Sequence, residues 1–149
     1  MASADQDPTA TADRILDRAR VFAVVGASPS TWRPSHGVMQ VLLGHGYEVV
    51  PIRPGVEEVL GRRAYPDLAS VPEEVTIDVV DIFRRSDRAG RHVDEAIALG
   101  VPAVWLQLGV IDHDAAERAR AAGLDVVMDR CPAIELDRRR RRGGASPGA

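Results

Sequence analysis

Five short stretches dominated by valine, isoleucine, leucine and alanine recur along the chain, at 21–25, 47–52, 75–83, 103–108 and 124–128. The segments between most of them place apolar residues three and four positions apart. Short apolar runs of this kind are strands covered on both faces, and the spacing between them is that of amphipathic helices. The expected helices cover 13–20, 35–43, 86–99 and 112–122. Val38 with Leu42 and Met39 with Leu43 stand at i, i+4 in the second, and Val93, Ala96 and Ile97 mark the inner face of the third. Thr11 or Asp13, Ser35 and Asp112 are candidate N-caps, while Gly44 or Gly46, Gly100 and Gly123 end their helices. Between 53 and 74 the pattern breaks at Pro54, Gly55, Pro66 and Pro72, leaving only 62–65 as a short edge strand.

This βα alternation predicts an α/β fold, a doubly wound parallel sheet in three α/β/α layers, with the first strand central. The carboxyl ends of the strands, at Val25, Ile52, Phe83, Gln107 and Met128, then share one rim where a ligand can bind. A chain of 149 residues, 45% of them hydrophobic, is enough for a single domain with an ordinary core. That domain is expected over 13–137, after a polar disordered leader at 1–12 and before a flexible basic tail at 138–149. An alternative for the tail is docking of Arg138 to Arg142 on an acidic partner.

Composition removes several classes of chemistry. All 19 basic residues are arginine, so no Walker, Schiff-base or general-base lysine exists. The formal charge is −3, and five of the basic residues fall in Arg138 to Arg142, so the body is more acidic still and unsuited to nucleic acid. No run reaches the roughly 18 apolar residues of a membrane span, and 1–13 does not resemble a secretory signal. A cytoplasmic location is expected. The single cysteine, Cys131, rules out an intramolecular disulfide and a cysteine zinc cluster. It reads either as an inert buried thiol or as one placed to meet a ligand's thiol.

The candidate chemistry lies along the expected rim. Gly26-Ala27-Ser28-Pro29 follows the first strand and provides backbone N–H groups and the Ser28 and Ser30 hydroxyls for a phosphate, without the second and third glycines of a dinucleotide fingerprint. Arg53-Pro54 follows the second strand, where an NAD enzyme carries an acid, so arginine there favours a phosphorylated ribose, as in NADP or coenzyme A. Arg33, Arg84 and Arg85 add guanidinium forks at the same rim. The plain alternative for Arg84 and Arg85 is pairing with Asp81 or Asp87. Asp81 is expected to hold one of these arginines or a ribose. The four histidines, His36, His45, His92 and His113, are separated and expected at the surface or at helix ends. No catalytic residue and no metal site emerges.

Gly26-Ala27-Ser28-Pro29, Arg33-Pro34-Ser35, Phe83-Arg84-Arg85-Ser86, Val104-Trp105-Leu106-Gln107-Leu108-Gly109 and Met128-Asp129-Arg130-Cys131-Pro132, taken together and in this order, resemble the small stand-alone CoA-binding proteins. These are related to the CoA-binding domain of the succinyl-CoA synthetase α subunit. The resemblance spans about 13 to 135. It implies a Rossmann-like fold that holds coenzyme A as a small-molecule partner; because the rim offers phosphate-binding features without a general base, metal cluster or activated nucleophile, the expectation is a module that holds coenzyme A or an acyl-CoA without catalysis of its own. By the same resemblance Gly26, Ala27, Ser28 and Arg33 lie on the phosphate side. Arg53 and Pro54 lie beside the nucleotide, and Phe83, Arg84, Gln107 and Gly109 surround the cleft. Pro34 and Arg85 belong to the matching motifs. An NADP-linked oxidoreductase or NADP sensor is the alternative; the protein partner, if any, is left open.

Overall fold

The computed structural model describes residues 7–143. Helix α1 runs over Pro8–Arg18; the Asp7 carboxylate accepts the Thr9 N–H at 3.2 Å, and proline at its start needs no hydrogen-bond partner there. Helix therefore begins within the stretch expected as disordered leader, and neither Thr11 nor Asp13 caps it. Thr11 and Ala12 are instead buried with Ile15 and Leu16. Leader positions 1–6 lie outside the described residues.

After β1 (Val21–Val25) come α2 (Pro34–Gly44) and β2 (Glu48–Ile52). A small antiparallel hairpin, β3 (Glu58–Val59) and β4 (Arg62–Arg63), replaces the expected lone edge strand, and Tyr65 bridges back to Ile52. A single 3-10 turn at Leu68–Ser70 leads to β5 (Val79–Ile82), followed by α3 (Ser86–Leu99), β6 (Ala103–Leu106), α4 (His113–Ala121), β7 (Asp125–Val127) and α5 (Pro132–Gly143). Asp112 caps α4 as expected, its carboxylate accepting the Ala115 N–H at 3.0 Å.

The main sheet is parallel throughout, in the order β2-β1-β5-β6-β7. β1 is interior, but the middle strand is β5, because three strands follow β1 on one side and one on the other. The chain changes direction across the sheet between β1 and β5, which opens a crevice at their carboxyl ends. Alternate strand residues supply two cores. Phe22, Val24, Val79 and Trp105 face α1, α2 and α5, while Ala23, Val25, Val80, Ile82 and Leu106 face α3 and α4. This is the three-layer, Rossmann-like α/β arrangement. No helix among the described residues is long and apolar enough to cross a membrane.

Two boundaries differ from the periodicity for local reasons. β5 starts at Val79 rather than 75, because the Asp78 carboxylate accepts the N–H groups of Arg20 and Val21, each at 2.9 Å, and so fixes its entry. The first half of the expected flexible basic tail, 138–143, is helical. Arg138 pairs with Asp13 at 3.3 Å and with Glu135 at 2.8 Å, Arg142 pairs with Asp13 at 3.1 Å, and Arg139 binds Asp17. The arginines thus tie α5 to α1 within the chain; positions 144–149 lie outside the described residues.

Candidate ligand-binding cleft

The crevice is shaped first by a glycine. Gly26 has φ +86, and its N–H donates to the Ile52 carbonyl at 3.0 Å, while the Phe83 N–H donates to the Val25 carbonyl at 2.8 Å. A Cβ at position 26 would overlap the Phe83 carbonyl oxygen and lie 3.1 Å from its carbon. Only a residue without a side chain lets the ends of β1 and β5 come this close.

Around this waist the cleft has two halves. The first, about 690 Å³, is lined by Arg33, Arg53, Pro54, Pro66, Asp67, Arg84, Arg91, His92 and Glu95. The second, about 440 Å³, is lined largely by hydrocarbon from Pro34, Val38, Leu108, Val110 and Ile134, with Ser35, Gln107 and Cys131. Gly26, Arg33, Phe83 and Arg84 line both, so the halves are neighbours across these four residues. A cationic chamber therefore adjoins an apolar one.

The first βα turn uses many of its own polar groups. The Ser28 N–H donates to Ser35 Oγ and the Ser30 N–H to Ser28 Oγ, both at 3.1 Å, and His36 Nδ1 donates to the Ser28 carbonyl at 3.1 Å. Ser35 is thus a strut for the turn rather than an N-cap. Arg33 occupies the cap position of α2 without a side-chain cap, so the positive end of that helix faces the waist through Pro34 and Ser35. Ala27 and Ser28 are buried within the turn.

The remaining candidates separate clearly. Arg53 borders the cationic half and reaches the Ala27 carbonyl only at 3.4 Å. Arg85 turns outward, pairs with Asp87 at 2.8 Å and is 75% exposed, which leaves Arg84 alone to face the cleft. Gly109 lies beside the cleft, with φ +83; its N–H donates to Asp129 at 2.7 Å and holds the loop after β6. Asp81 holds neither an arginine nor the rim. It lies inside β5, fully buried, with Val24 and Trp105 beside it in register, and burial raises its pKa well above the usual carboxylate value.

Several buried polar atoms at the cleft lack partners: Arg84 Nε, His92 Nε2 and Gln107 Oε1. Buried polar groups are nearly always satisfied in folded proteins, so such orphans in a cleft wall point to a bound ligand. No carboxylate of the described residues pairs with Arg33, Arg53, Arg84 or Arg91, whereas Glu48, Asp87, Asp94 and Asp125 each hold an arginine elsewhere. The sequence reading missed Trp32, Arg91, His92 and Glu95. Trp32 is 74% exposed, with the Arg33 guanidinium 4.5 Å above its ring. His92 sits on α3 within hydrogen-bond reach of Glu95, an i, i+3 pairing that was legible in the sequence as a helical His/Glu spacing. His36, expected at the surface or at a helix end, lies in the first turn of α2 and is buried there.

A CoA binding domain model matches residues 20–137. The chain belongs to this CoA-binding domain family. It is 34% identical over 127 residues to the Bacillus subtilis (strain 168) protein YneT, covering 85% of this chain and 93% of that one. It is 24% identical over 120 residues to acetate–CoA ligase (ADP-forming) I of Archaeoglobus fulgidus, covering 75% of this chain but 18% of the much longer ligase. A hypothetical protein from Pyrococcus horikoshii OT3 has the same fold, with a TM-score of 0.83, 38% identity, and coverage of 93% of this chain and 96% of that one.

Proposed function

We propose that the protein binds coenzyme A or an acyl-CoA and performs no chemistry of its own. The observation that carries this reading is the division of the cleft into a cationic and an apolar half. Coenzyme A has the same division: a nucleotide with a diphosphate and a 3′-phosphate, then an uncharged pantetheine arm ending in a thiol. Arg33 and Arg84, at the junction, suit the diphosphate, and Arg53 with Pro54 suits the phosphorylated ribose. Gln107 Oε1, buried and without a donor, suits an amide N–H of the arm. Hydrocarbon of the second chamber suits the far end of the arm, and the buried free thiol of Cys131 lines the same chamber. NADP would bring a second polar nucleoside to that apolar chamber, a poor match.

Calorimetry on ligand-stripped protein tests the reading with coenzyme A, dephospho-CoA and NADP. Coenzyme A is expected to bind tightest. Binding of none of them overturns the proposal, and preference for NADP replaces it with an NADP-linked protein. Arg33→Ala should weaken coenzyme A and dephospho-CoA alike, by about 10- to 100-fold, the worth of a charge-assisted hydrogen bond to a shared diphosphate. A loss confined to coenzyme A would move Arg33 to the 3′-phosphate.

The position of Cys131 adds a covalent prediction. With the symmetric disulfide of coenzyme A, the Cys131 sulfur attacks one sulfur of the reagent, forming a protein–CoA disulfide and releasing one coenzyme A thiol. Intact-mass measurement without reductant should show one added CoA moiety, removed by dithiothreitol and missing from Cys131→Ser. An unmodified wild-type protein would contradict it.

A further inference from the structure

Four side chains of the cationic half come from one stretch of chain: Arg84 just after β5, and Arg91, His92 and Glu95 on α3. The His92 side chain is only 12% exposed, and its Nδ1 lies 2.6 Å from Glu95 Oε1. Because that carboxylate accepts, Nδ1 carries the hydrogen, and in a neutral ring Nε2 is then a bare lone pair. No donor reaches it. Arg84 Nε–H is buried in the wall of the same chamber with no acceptor. Once the covering side chains move aside, an anionic oxygen can satisfy the arginine directly, but it can meet Nε2 only if that nitrogen also carries a proton. Arg91, Arg53 and Arg33 around the same chamber favour an anion over a neutral hydroxyl.

We propose that one phosphate oxygen of the ligand is held jointly by Arg84 Nε–H and His92 Nε2–H, and that His92 takes up a proton as the ligand binds. This rests on the coenzyme A reading and extends it to a residue pair and a linked proton. The groups facing the ring are Glu95 and Arg91 on α3 and Arg84 after β5, with Arg33, Arg53 and Asp67 across the chamber. Asp67 is engaged by the Ser70 N–H and hydroxyl at 2.8 and 2.6 Å. In the free protein, burial first and then Arg91 and Arg84 hold the His92 pKa below its usual value, against the opposing pull of Glu95. A bound phosphate adds negative charge and raises it. Affinity therefore falls as pH rises between the free and bound values, by at most about tenfold per pH unit for one linked proton.

The test is calorimetry with coenzyme A at pH 7.5 in two buffers of different ionisation enthalpy, Hepes and Tris. At that pH the ligand's phosphomonoester, with a second pKa of about 6, is already almost fully ionised and contributes little to the proton count. Wild type should take up a fraction of a proton. His92→Gln should still bind, several-fold more weakly and without uptake, whereas His45→Gln, on an exposed turn outside the cleft, should keep it. In parallel, the His92 ring signal in NMR titrations of the wild type should show a higher pKa with coenzyme A bound than without. Binding without uptake, uptake unchanged in His92→Gln, or an unmoved ring pKa overturns the inference while leaving coenzyme A binding intact. Failure of wild type to bind coenzyme A at all overturns the proposed function instead.

Discussion

Gly26→Ala is expected to destabilise the protein by about 2–5 kcal/mol and to remove most ligand binding. Two costs add at this position. Its φ of +86 is one that side-chain-bearing residues rarely adopt, and the new methyl group would overlap the Phe83 carbonyl oxygen. Relief requires separating the ends of β1 and β5 or rotating the turn. Either movement displaces Arg33, Phe83 and Arg84, which line both halves of the cleft. Gly37→Ala is the matched control, because Gly37 lies inside α2 with open space around it. That substitution should be stabilising by up to about 1 kcal/mol, as expected for a helix interior. Urea denaturation of both variants with calorimetry on coenzyme A decides the point. Wild-type stability in Gly26→Ala would mean that the close approach of the two strands does not hold in solution.

The parts of the fold that local pattern determines were legible. Valine-rich runs placed five strands, and Asp112 capped α4 because an N-cap depends only on residues three positions away. Features set by distant partners were not legible. The docking of α5 on α1 rests on Arg138 and Arg142 meeting Asp13, more than a hundred residues earlier, a pairing that no local pattern announces. β5 begins late because Asp78 is engaged by the entry to β1.

The candidate site divides in the same way. Gly26, Arg33, Arg53, Phe83 and Arg84 follow strand ends, so topology brings them together once the sheet is recognised. His92 lies well inside a helix, and its place in the cleft depends on how α3 packs against the 3-10 turn. Ser28 was read as a phosphate donor, but a second serine seven residues on receives its N–H. Arg84 and Arg85 are neighbours of equal charge with opposite fates. Asp87 takes Arg85, and Arg84 stays available because the other nearby acid, Asp81, points into the sheet core.

Asp81→Asn is expected to remove a loss of stability that grows with pH and to make the protein more stable than wild type at pH 8. Asp81 is fully buried on the middle strand beside Val24 and Trp105, neither carboxyl oxygen has a partner among the described residues, and burial alone raises its pKa. A group whose pKa is higher folded than unfolded keeps its proton in the native state while the unfolded chain releases it. Its contribution is therefore fully present below about pH 3.9, the unfolded value, and is lost as pH rises toward the folded value. The slope cannot exceed about 1.4 kcal/mol per pH unit for one proton. Other groups act in the opposite sense: Asp13, Glu48 and Asp87 have lowered values, so their contributions are lost only as pH falls into the acid range, and lowered His92 strengthens the fold as pH rises toward about 6.5. These terms are common to both proteins and cancel in the difference. Urea denaturation at pH 5 and pH 8 should thus show the advantage of Asp81→Asn growing with pH. Parallel curves would show that Asp81 is ionised in the folded protein across this range, against its burial without a partner.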